Sequence, residues 1–332
     1  MGFTVFFSLS SFLLCGLGAC CFSLIVIVVP PAERRGRRKG VCQRQVAKET
    51  GISKREAHGG SGVMRALRLS TKVGVESNKA ALRAYLMSLC GMEPVGDSKN
   101  PLFVQLQIHD GHRDTLLRHT KELYVASLEH HPETFVNVIP TFPSGEEELF
   151  SACGENDGTA PPTLFSAGSM TADRGFVPVY TSVALGGTFD RLHAGHKLLL
   201  TTALFYTTRS LRVGVTLEAM LAGKKYGSYI EPFEARCDSV TEFLYSVRRD
   251  IELNVVGITE PSGGTNRDAE VEALVVSPET VGAVASINAE RASYGLKPLE
   301  YIQIPHVRTG RDDLINSTRL RRRLLEQDDE AK

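Results

Sequence analysis

The chain has 332 residues, and its 38 lysines and arginines balance 38 aspartates and glutamates, so its formal net charge is zero. This length allows a core large enough for two modest domains, and the neutral balance gives no reason to expect a nucleic-acid partner. The seven cysteines lack CxxC spacing, which argues against a disulfide framework or a zinc finger and is typical of reduced thiols.

The first 30 residues form an apolar segment, with no charged side chain between Gly2 and Val29. About 20 apolar residues can cross a bilayer, and the basic block Arg34–Lys39 would then leave the rest of the chain facing the cytoplasm. We therefore expect residues 3–29 to form a membrane anchor, a transmembrane helix by hydropathy. Two alternatives stay open: a signal peptide, although its usual basic start is missing, and an extension dispensable for folding in a soluble cytosolic chain, since Met64 opens a globular pattern.

Composition divides the next part of the chain into three. Residues 31–62, rich in Pro, Arg, Lys and Gly, predict a disordered basic neck. Residues 63–143 predict a small α/β domain, and residues 144–176, rich in Gly, Ser, Pro and acids, a flexible linker. Within the small domain the patterns predict two helices and two strands: Ala80–Leu89, Asp114–Leu128, Leu102–Ile108 and Phe135–Ile139.

Residues 177–328 alternate strands with helices, which predicts a doubly wound parallel sheet of the Rossmann-like type. Ligands of such sheets bind beyond the carboxyl ends of the strands, near the point where the strand order reverses. The predicted strands are Tyr180–Leu185, Leu211–Thr216, Leu253–Ile258, Ala273–Val276 and Leu299–Ile304. The predicted helices are His196–Thr207, Pro232–Arg248, Pro278–Tyr294 and Asn316–Gln327.

A glycine-rich motif with two histidines follows the first of these strands. Paired glycines let the backbone approach a polyphosphate and offer it N–H donors, and the next helix turns its positive end toward the same anion. The motif therefore predicts an anion site, the alternative being that the histidines only cap the helix and pack the loop. Its residues are Gly186, Gly187, Thr188, Phe189, Asp190, His193 and His196.

The start of the last predicted helix carries Ser317, Thr318 and Arg319. Hydroxyls at a helix start can cap it and bind phosphates, and a guanidinium adds charge-assisted hydrogen bonds. The alternative is an ordinary capped helix with a solvated basic face over Arg319–Arg323.

These two motifs resemble those of a known family. GGTFDRLHAGHK, residues 186–197, resembles the GTFD-x-x-H-x-G-H signature of cytidylyltransferase-like nucleotidyltransferases, and residues 314–319 resemble their ISSTxxR motif, with Asn316 where serine is usual. The resemblance implies attack by a substrate phosphate on the α-phosphate of a nucleoside triphosphate, without a covalent enzyme intermediate. It also implies that His193 and His196 donate hydrogen bonds to phosphate oxygens and that Thr188 orients the attacking phosphate. The remaining residues implied in nucleotide binding are Gly186, Gly187, Phe189, Ser317, Thr318 and Arg319.

A third stretch narrows the family. ALVVSPETVGAVASINAER, residues 273–291, is similar to the phosphopantetheine adenylyltransferase of eukaryotes and archaea, and the similarity extends from Ser182 to Leu325. It implies ATP and 4'-phosphopantetheine as substrates, Mg²⁺ with the ATP, no metal ligands on the protein, and dephospho-coenzyme A as product. Ser277 and Arg291 are implied as substrate-binding residues. A lysine that contacts the transferring phosphates is implied as well, and of Lys224 and Lys225 we favour Lys224.

Two absences refine the expectation. No GxxxxGK[ST] sequence occurs, so we expect no fused dephospho-coenzyme A kinase. The RTEGISTS-type element of cytidylyltransferases is also missing, which makes an enzyme using CTP and a phospho-alcohol the second candidate and a nucleotide-binding pseudoenzyme the third. The oligomeric state and the role of residues 63–143 do not follow from the sequence.

Overall fold

The computed structural model describes residues 24–29, 62–89, 101–110, 112–130, 135–142, 179–308 and 316–330. Almost all of the predicted neck and the whole predicted linker lie outside these ranges. The described residues form two β-sheets with flanking helices.

The N-terminal sheet has four strands in chain order: β1 (Leu24–Val29), β2 (Gly62–Ser70), β3 (Leu102–Gln107) and β4 (Val136–Thr141). β1 is antiparallel to β2, whereas β2, β3 and β4 are parallel to one another. Helices α1 (Val75–Ser88) and α2 (Arg113–His130) connect the parallel strands and pack on each other. Every second residue of β3 is buried, as expected for a strand with one covered face.

β1 and β2 are absent from the sequence-based prediction. The structure pairs Ile25 with Ala66, so the end of the apolar segment is a strand and differs from the transmembrane helix expected over residues 3–29. Hydropathy reports the apolar run but carries no information on a strand partner some forty residues away. Residues 1–23 lie outside the described ranges, and no helix inside those ranges is long and apolar enough to span a membrane.

The C-terminal sheet has five parallel strands: β5 (Tyr180–Gly187), β6 (Thr207–Thr216), β7 (Glu252–Ile258), β8 (Ala273–Val276) and β9 (Glu300–Gln303). Their spatial order is β7-β6-β5-β8-β9, so the chain moves one way from β5 and the other way from β8. The order therefore reverses between β5 and β8, which is where a doubly wound sheet binds its ligand.

Four helices accompany this sheet: α3 (Ala194–Tyr206), α4 (Phe233–Val247), α5 (Ala283–Ser293) and α6 (Ser317–Glu330). The predicted parallel α/β fold is thus confirmed. Two helix starts are displaced: α1 begins at Val75, five residues before the predicted Ala80, and α5 begins at Ala283, five residues after the predicted Pro278. The preceding residues form a turn in which the N–H groups of Thr280 and Val281 both donate to the Ser277 carbonyl.

The two sheets share one continuous hydrophobic core. Helix α2 packs on α3, and β4 packs on α4. Leu123 and Leu200 are both fully buried in this core, and each such leucine stabilises the fold by about 1.5–3 kcal/mol. At the same boundary the Arg113 guanidinium lies 4.4 Å from the ring centroid of Tyr206. Helix α3 begins inside the glycine-rich motif. Its contacts with α2 therefore help to hold that motif in place.

Candidate active site

A cavity of about 550 Å³ opens at the carboxyl ends of the C-terminal strands. Each strand contributes to its wall, as shown by Gly187 of β5, Thr216 of β6, Ile258 of β7, Ser277 after β8 and Ile304 after β9. The volume is in the usual range for a small-molecule site, roughly 300–1,000 Å³. The position at the β5–β8 reversal is the one that the parallel fold favours.

The loop between β5 and α3 carries two non-glycine residues in the left-handed backbone region, Phe189 (φ 52°) and Arg191 (φ 49°). Such a conformation costs on the order of 1–3 kcal/mol per residue and persists only where the surroundings impose it. The Phe189 ring is fully buried and lies 5.3 Å from the ring of His196, centroid to centroid. The strained backbone of this loop thus holds the buried Phe189 ring where it contacts the ring of His196.

His193 is the N-cap of α3, and its Nδ1 accepts the N–H of Gly195 at 3.2 Å. An accepting Nδ1 carries no proton, so the neutral ring holds its proton on Nε2 and can donate it to a ligand. A Cβ at Gly195 would lie 3.1 Å from Cε1 of His193, which explains the small residue there. Burial, with a smaller contribution from the Lys197 charge, lowers the pKa of His193 to about 3.

His196 stacks on His193, with ring centroids 3.8 Å apart. Its Nδ1 is buried without a hydrogen-bond partner among the described residues, which leaves Nε2 as the nitrogen that can serve a ligand. Burial, then the neighbouring His193 and the Lys224 charge, lower the pKa of His196 well below its usual value. Both imidazoles are therefore neutral donors near pH 7 while no phosphate is bound.

Thr188 lies at the end of β5, and its hydroxyl is 3.2 Å from that of Thr216 at the end of β6. The buried Arg236 of α4 donates to both backbone carbonyls, at 2.8 Å to Thr188 and 3.0 Å to Thr216. It therefore braces the two strand ends that present the hydroxyls. Arg236 was missed by the sequence analysis, since no local pattern distinguishes it from a solvated helix arginine.

The start of α6 reaches the same cavity. Asn316 Oδ1 accepts the N–H of Arg319 at 3.0 Å, so the asparagine that replaces the usual serine still caps the helix. The Ser317 hydroxyl donates to the Asp190 carbonyl at 3.0 Å, which ties α6 to the glycine-rich motif. Thr318 also lines the cavity, whereas Arg319 does not.

Arg321 is the arginine of α6 that lines the cavity. Its Nη1 is 2.6 Å from Oδ2 of Asp190, and both side chains are almost completely buried, at 3% and 0% exposed. Residues three and four apart share a helix face, so Arg321 lies on the side of Ser317 and Thr318 and Arg319 does not. That spacing along the helix was the sequence signal that could have pointed to Arg321. Which arginine of the basic run is buried, however, depends on the tertiary fold.

Of the two candidate lysines, Lys224 lines the cavity and Lys225 does not. The carbonyl of Lys225 instead accepts a hydrogen bond from Arg321 Nε at 3.1 Å. Within the described ranges Lys224 has no carboxylate partner, while the cavity cations Arg212 and Arg321 are paired with aspartates. Lys224 is therefore the cation there with its charge left for a ligand.

Of the two predicted substrate-binding residues within residues 273–291, Ser277 lines the cavity and Arg291 does not. Arg291 is buried, and its Nη1 donates to the carbonyls of Thr265 and Asp268, both at 2.6 Å. Thr265 belongs to the loop after β7 that also lines the cavity. The structure therefore places Arg291 behind this loop, as a support for the cavity wall.

The cavity lining offers little to a metal ion. Its only Asp or Glu among the described residues is Glu279, and these residues contain no group of three or more His, Cys, Asp or Glu side chains suited to a metal. Mg²⁺ prefers oxygen ligands and commonly binds through substrate phosphates. The donors of the described lining therefore suit an anion.

Comparison with known proteins identifies a matching family and several relatives. Residues 184–323 match the model of the cytidylyltransferase-like family. The chain is 38% identical over 146 residues to the phosphopantetheine adenylyltransferase of Saccharomyces cerevisiae, covering 42% of this chain and 48% of that protein. It is 40% identical over 116 residues to an uncharacterised protein of Schizosaccharomyces pombe, covering 35% of this chain and 37% of that protein. The matched region thus spans half or less of these two yeast relatives.

An archaeal relative is matched over nearly its whole length. The phosphopantetheine adenylyltransferase of Pyrococcus abyssi is 37% identical over 147 residues, covering 44% of this chain and 92% of that protein. These 147 residues correspond in size to the C-terminal sheet and its helices, which hold the whole cavity. The chain therefore belongs to the phosphopantetheine adenylyltransferase family of cytidylyltransferase-like proteins.

Proposed function

We propose that the chain transfers AMP from ATP to 4'-phosphopantetheine, forming dephospho-coenzyme A and pyrophosphate. A phosphate oxygen of phosphopantetheine forms a new bond to the α-phosphorus of ATP. The bond from that phosphorus to the bridging oxygen of the β-phosphate breaks, and pyrophosphate leaves with the electron pair. No residue of the protein forms a bond to the substrate, so catalysis rests on positioning and charge stabilisation.

One observation carries the proposal. Thr188, the stacked pair His193 and His196, and Lys224 converge on a single cavity at the strand-order reversal. Each can serve a phosphate: one hydroxyl, two neutral imidazole donors and one cation without a carboxylate partner in the described part of the chain. The cytidylyltransferase-like family model matches residues 184–323, which include the whole cavity lining, and two relatives named for this activity are 38% and 37% identical to the chain.

The geometry favours a distinct role for each group. The Thr188 hydroxyl, held by Thr216 and by the Arg236 brace, orients the attacking phosphate. His196, whose Nε2 is the nitrogen left for a ligand, donates to the α-phosphate as charge shifts onto its oxygens in the transition state. Lys224 neutralises the transferring phosphates.

The remaining predicted site residues divide by position. Gly186, Gly187 and the start of α6 at Ser317 and Thr318 line the cavity and suit the nucleotide phosphates. Arg291 acts through the loop that it braces. Arg319 and Arg291 were expected to contact substrate directly, but neither lines the cavity, which favours an indirect role for both.

Mg²⁺ enters this proposal as the counterion of ATP. When bound to the phosphates it offsets their negative charge. Because the cavity lining provides Glu279 and no carboxylate cluster among the described residues, no step of the proposed mechanism is assigned to a metal held by the protein.

Substrate choice is the sharpest test. Pyrophosphate release by the purified full chain is measured with ATP or CTP, and with phosphopantetheine or phosphocholine as acceptor. We expect turnover only with ATP and phosphopantetheine, and a product with the mass of dephospho-coenzyme A. Turnover with CTP and phosphocholine would instead identify a cytidylyltransferase, and nucleotide binding without any turnover would identify a pseudoenzyme. Conversion of the product to coenzyme A would contradict the expectation that the chain has no dephospho-coenzyme A kinase activity.

Membrane anchoring is tested by comparing the full chain with a shortened version of it. A chain starting at Met64 would also lose β1 and the start of β2, so a chain starting at Leu24 is the better partner for the full chain. If residues 1–23 contribute to an anchor, only the full chain sediments with membranes. Equal solubility of both versions would contradict anchoring.

A further inference from the structure

A second cavity, of about 410 Å³, lies between the N-terminal sheet and helices α4 and α6. It shares no lining residue with the candidate active site among the described residues. Its walls come from both halves of the chain: Phe103 and Asn137 from β3 and β4, Lys197 from α3, Phe243 from α4 and Leu324 from α6. A site built in this way exists only when the two halves are joined.

The ammonium of Lys197 is the main polar feature of this cavity. The side chain is buried, and Nζ donates to the Val136 carbonyl at 2.9 Å. In the described part of the chain it has no carboxylate partner; the Phe135 ring, whose centroid lies 6.0 Å from Nζ, is its one aromatic contact there. Burial alone lowers the pKa of Lys197 to about 7, which is what a buried cation without a bound anion shows. Buried charges are normally paired, so this one suits an anionic ligand.

Two further polar atoms of the lining lack partners. Oδ1 of Asn137 is buried and accepts no hydrogen bond from the described residues, and the residue is 9% exposed. Nε of Arg191 is also buried without an acceptor among the described residues, while Nη2 of the same guanidinium donates to the Tyr229 carbonyl at 2.8 Å. An unpaired acceptor and an unpaired cationic donor in one cavity are the pattern left when a ligand supplies the missing groups.

The rest of the wall combines apolar side chains with a small excess of positive charge. Phe103, Phe135 and Phe243 line it, as does Leu192. Of its two carboxylates, Glu231 already accepts the backbone N–H of Arg191 at 2.6 Å, and Glu242 is exposed. Together with Arg323, the lining therefore has three cations against two acids.

We propose that this second cavity binds a small amphiphilic anion: a carboxylate or phosphate monoester with an apolar body and a hydroxyl or amide N–H group. The anionic group lies against Lys197 and Arg191, the hydrogen-bond donor meets Oδ1 of Asn137, and the apolar body packs on the phenylalanines. Lys197 directly follows His196 in the chain, and Arg191 belongs to the glycine-rich loop, so an occupant contacts the same segment as the active site without entering it.

The test uses three probes with the full chain and no substrate, so it can fail independently of the proposed enzymatic activity. The probes are 4-hydroxyphenylacetate, its neutral match 4-hydroxyphenylacetamide, and phenyl phosphate, and binding is followed by saturation-transfer NMR and titration. We expect both anions to bind saturably and the amide to bind at least about tenfold more weakly, given the usual strength of hydrogen bonds to charged groups. In the Asn137→Leu variant, which lacks the contact with the hydroxyl, the stronger of the two anions identifies the head group.

Variants locate the site. Lys197→Met should weaken both anions by about tenfold or more, and Asn137→Leu should weaken 4-hydroxyphenylacetate by about fivefold. Phenyl phosphate has no hydroxyl donor and should respond less to Asn137→Leu. Asn254→Leu, at an exposed asparagine of β7, is the matched control and should leave binding unchanged.

Three results would overturn the proposal. These are no saturable binding of either anion, equal binding of the amide and the carboxylate, and equal weakening by Asn137→Leu and Asn254→Leu. Urea unfolding of each variant verifies that it is folded. If Lys197→Met does not fold, Asn137→Leu and the neutral amide decide the question.

Discussion

Replacing Arg321 by methionine should destabilise the protein strongly, because this arginine neutralises a carboxylate with no access to solvent. Asp190 is completely buried, and its side chain has two partners, Arg321 Nη1 at 2.6 Å and the backbone N–H of Glu231 at 3.0 Å. Arg321→Met leaves the carboxylate with that N–H and the electrostatic attraction of the buried Arg236, and removes its one ion pair among the described residues. Removing one member of a buried ion pair typically costs 3–5 kcal/mol, so we expect the free energy of unfolding to fall by about 3–5 kcal/mol.

The neighbouring residue provides the control. Arg322 also forms an ion pair, with Glu326 at 3.3 Å, but both side chains are more than half exposed. Exposed pairs at this helix spacing contribute about 0.3–0.5 kcal/mol, so Arg322→Met should be nearly neutral. The two variants differ by one position in the same helix and make the same chemical change.

Urea unfolding followed by circular dichroism measures both losses. The double variant Asp190→Asn/Arg321→Met should lose less than the sum of its single variants, since each removes the same contact. Equal losses for Arg321→Met and Arg322→Met, or strict additivity in the double variant, would refute the inference that this pair joins α6 to the glycine-rich motif.

Three other predictions concern single side chains. His196→Ala should lower kcat for pyrophosphate release about a hundredfold or more, the usual effect of losing a transition-state donor, and an unchanged kcat would make His196 structural. Lys224→Met should lower kcat/KM by about tenfold while Lys225→Met changes it little; similar losses would contradict the placement of Lys224 alone at the cavity. Lys197 has a pKa of about 7 when folded against 10.5 when unfolded, so between these values the unfolded chain binds more protons and stability rises with pH. Lys197→Met should lack that part of the rise in urea unfolding from pH 7 to 10, and parallel pH profiles would show that Lys197 does not lose its proton there.

Local sequence patterns predicted much of the C-terminal sheet and its helices, within residues 177–328. Strand and helix periods are local, so each predicted strand there overlaps one of β5 to β9. The largest differences are at the start of β6, four residues earlier than predicted, and the start of α5, five residues later. The glycine-rich motif could be recognised because its function depends on spacing along the chain. His193, His196 and Thr188 therefore lie together in the structure as the sequence predicted.

Features that depend on long-range contacts could not be predicted in this way. β1 and β2 pair across a sequence gap, and hydropathy alone favoured a membrane segment there. The motif comparison selected Arg319, whereas the packing of α6 against Asp190 brings Arg321 to the cavity. A side chain's burial is decided by the elements packed against it, which a local pattern does not contain.

The sequence by itself thus determined the residue types of the glycine-rich motif and its place at the end of β5, since both follow from patterns at short spacing. Only the tertiary structure decided which cations face the ligand, that Arg291 supports a loop, and that Lys197 lies buried between the two halves of the chain. These depend on contacts between residues far apart in sequence, whose energies exist only once the chain has folded.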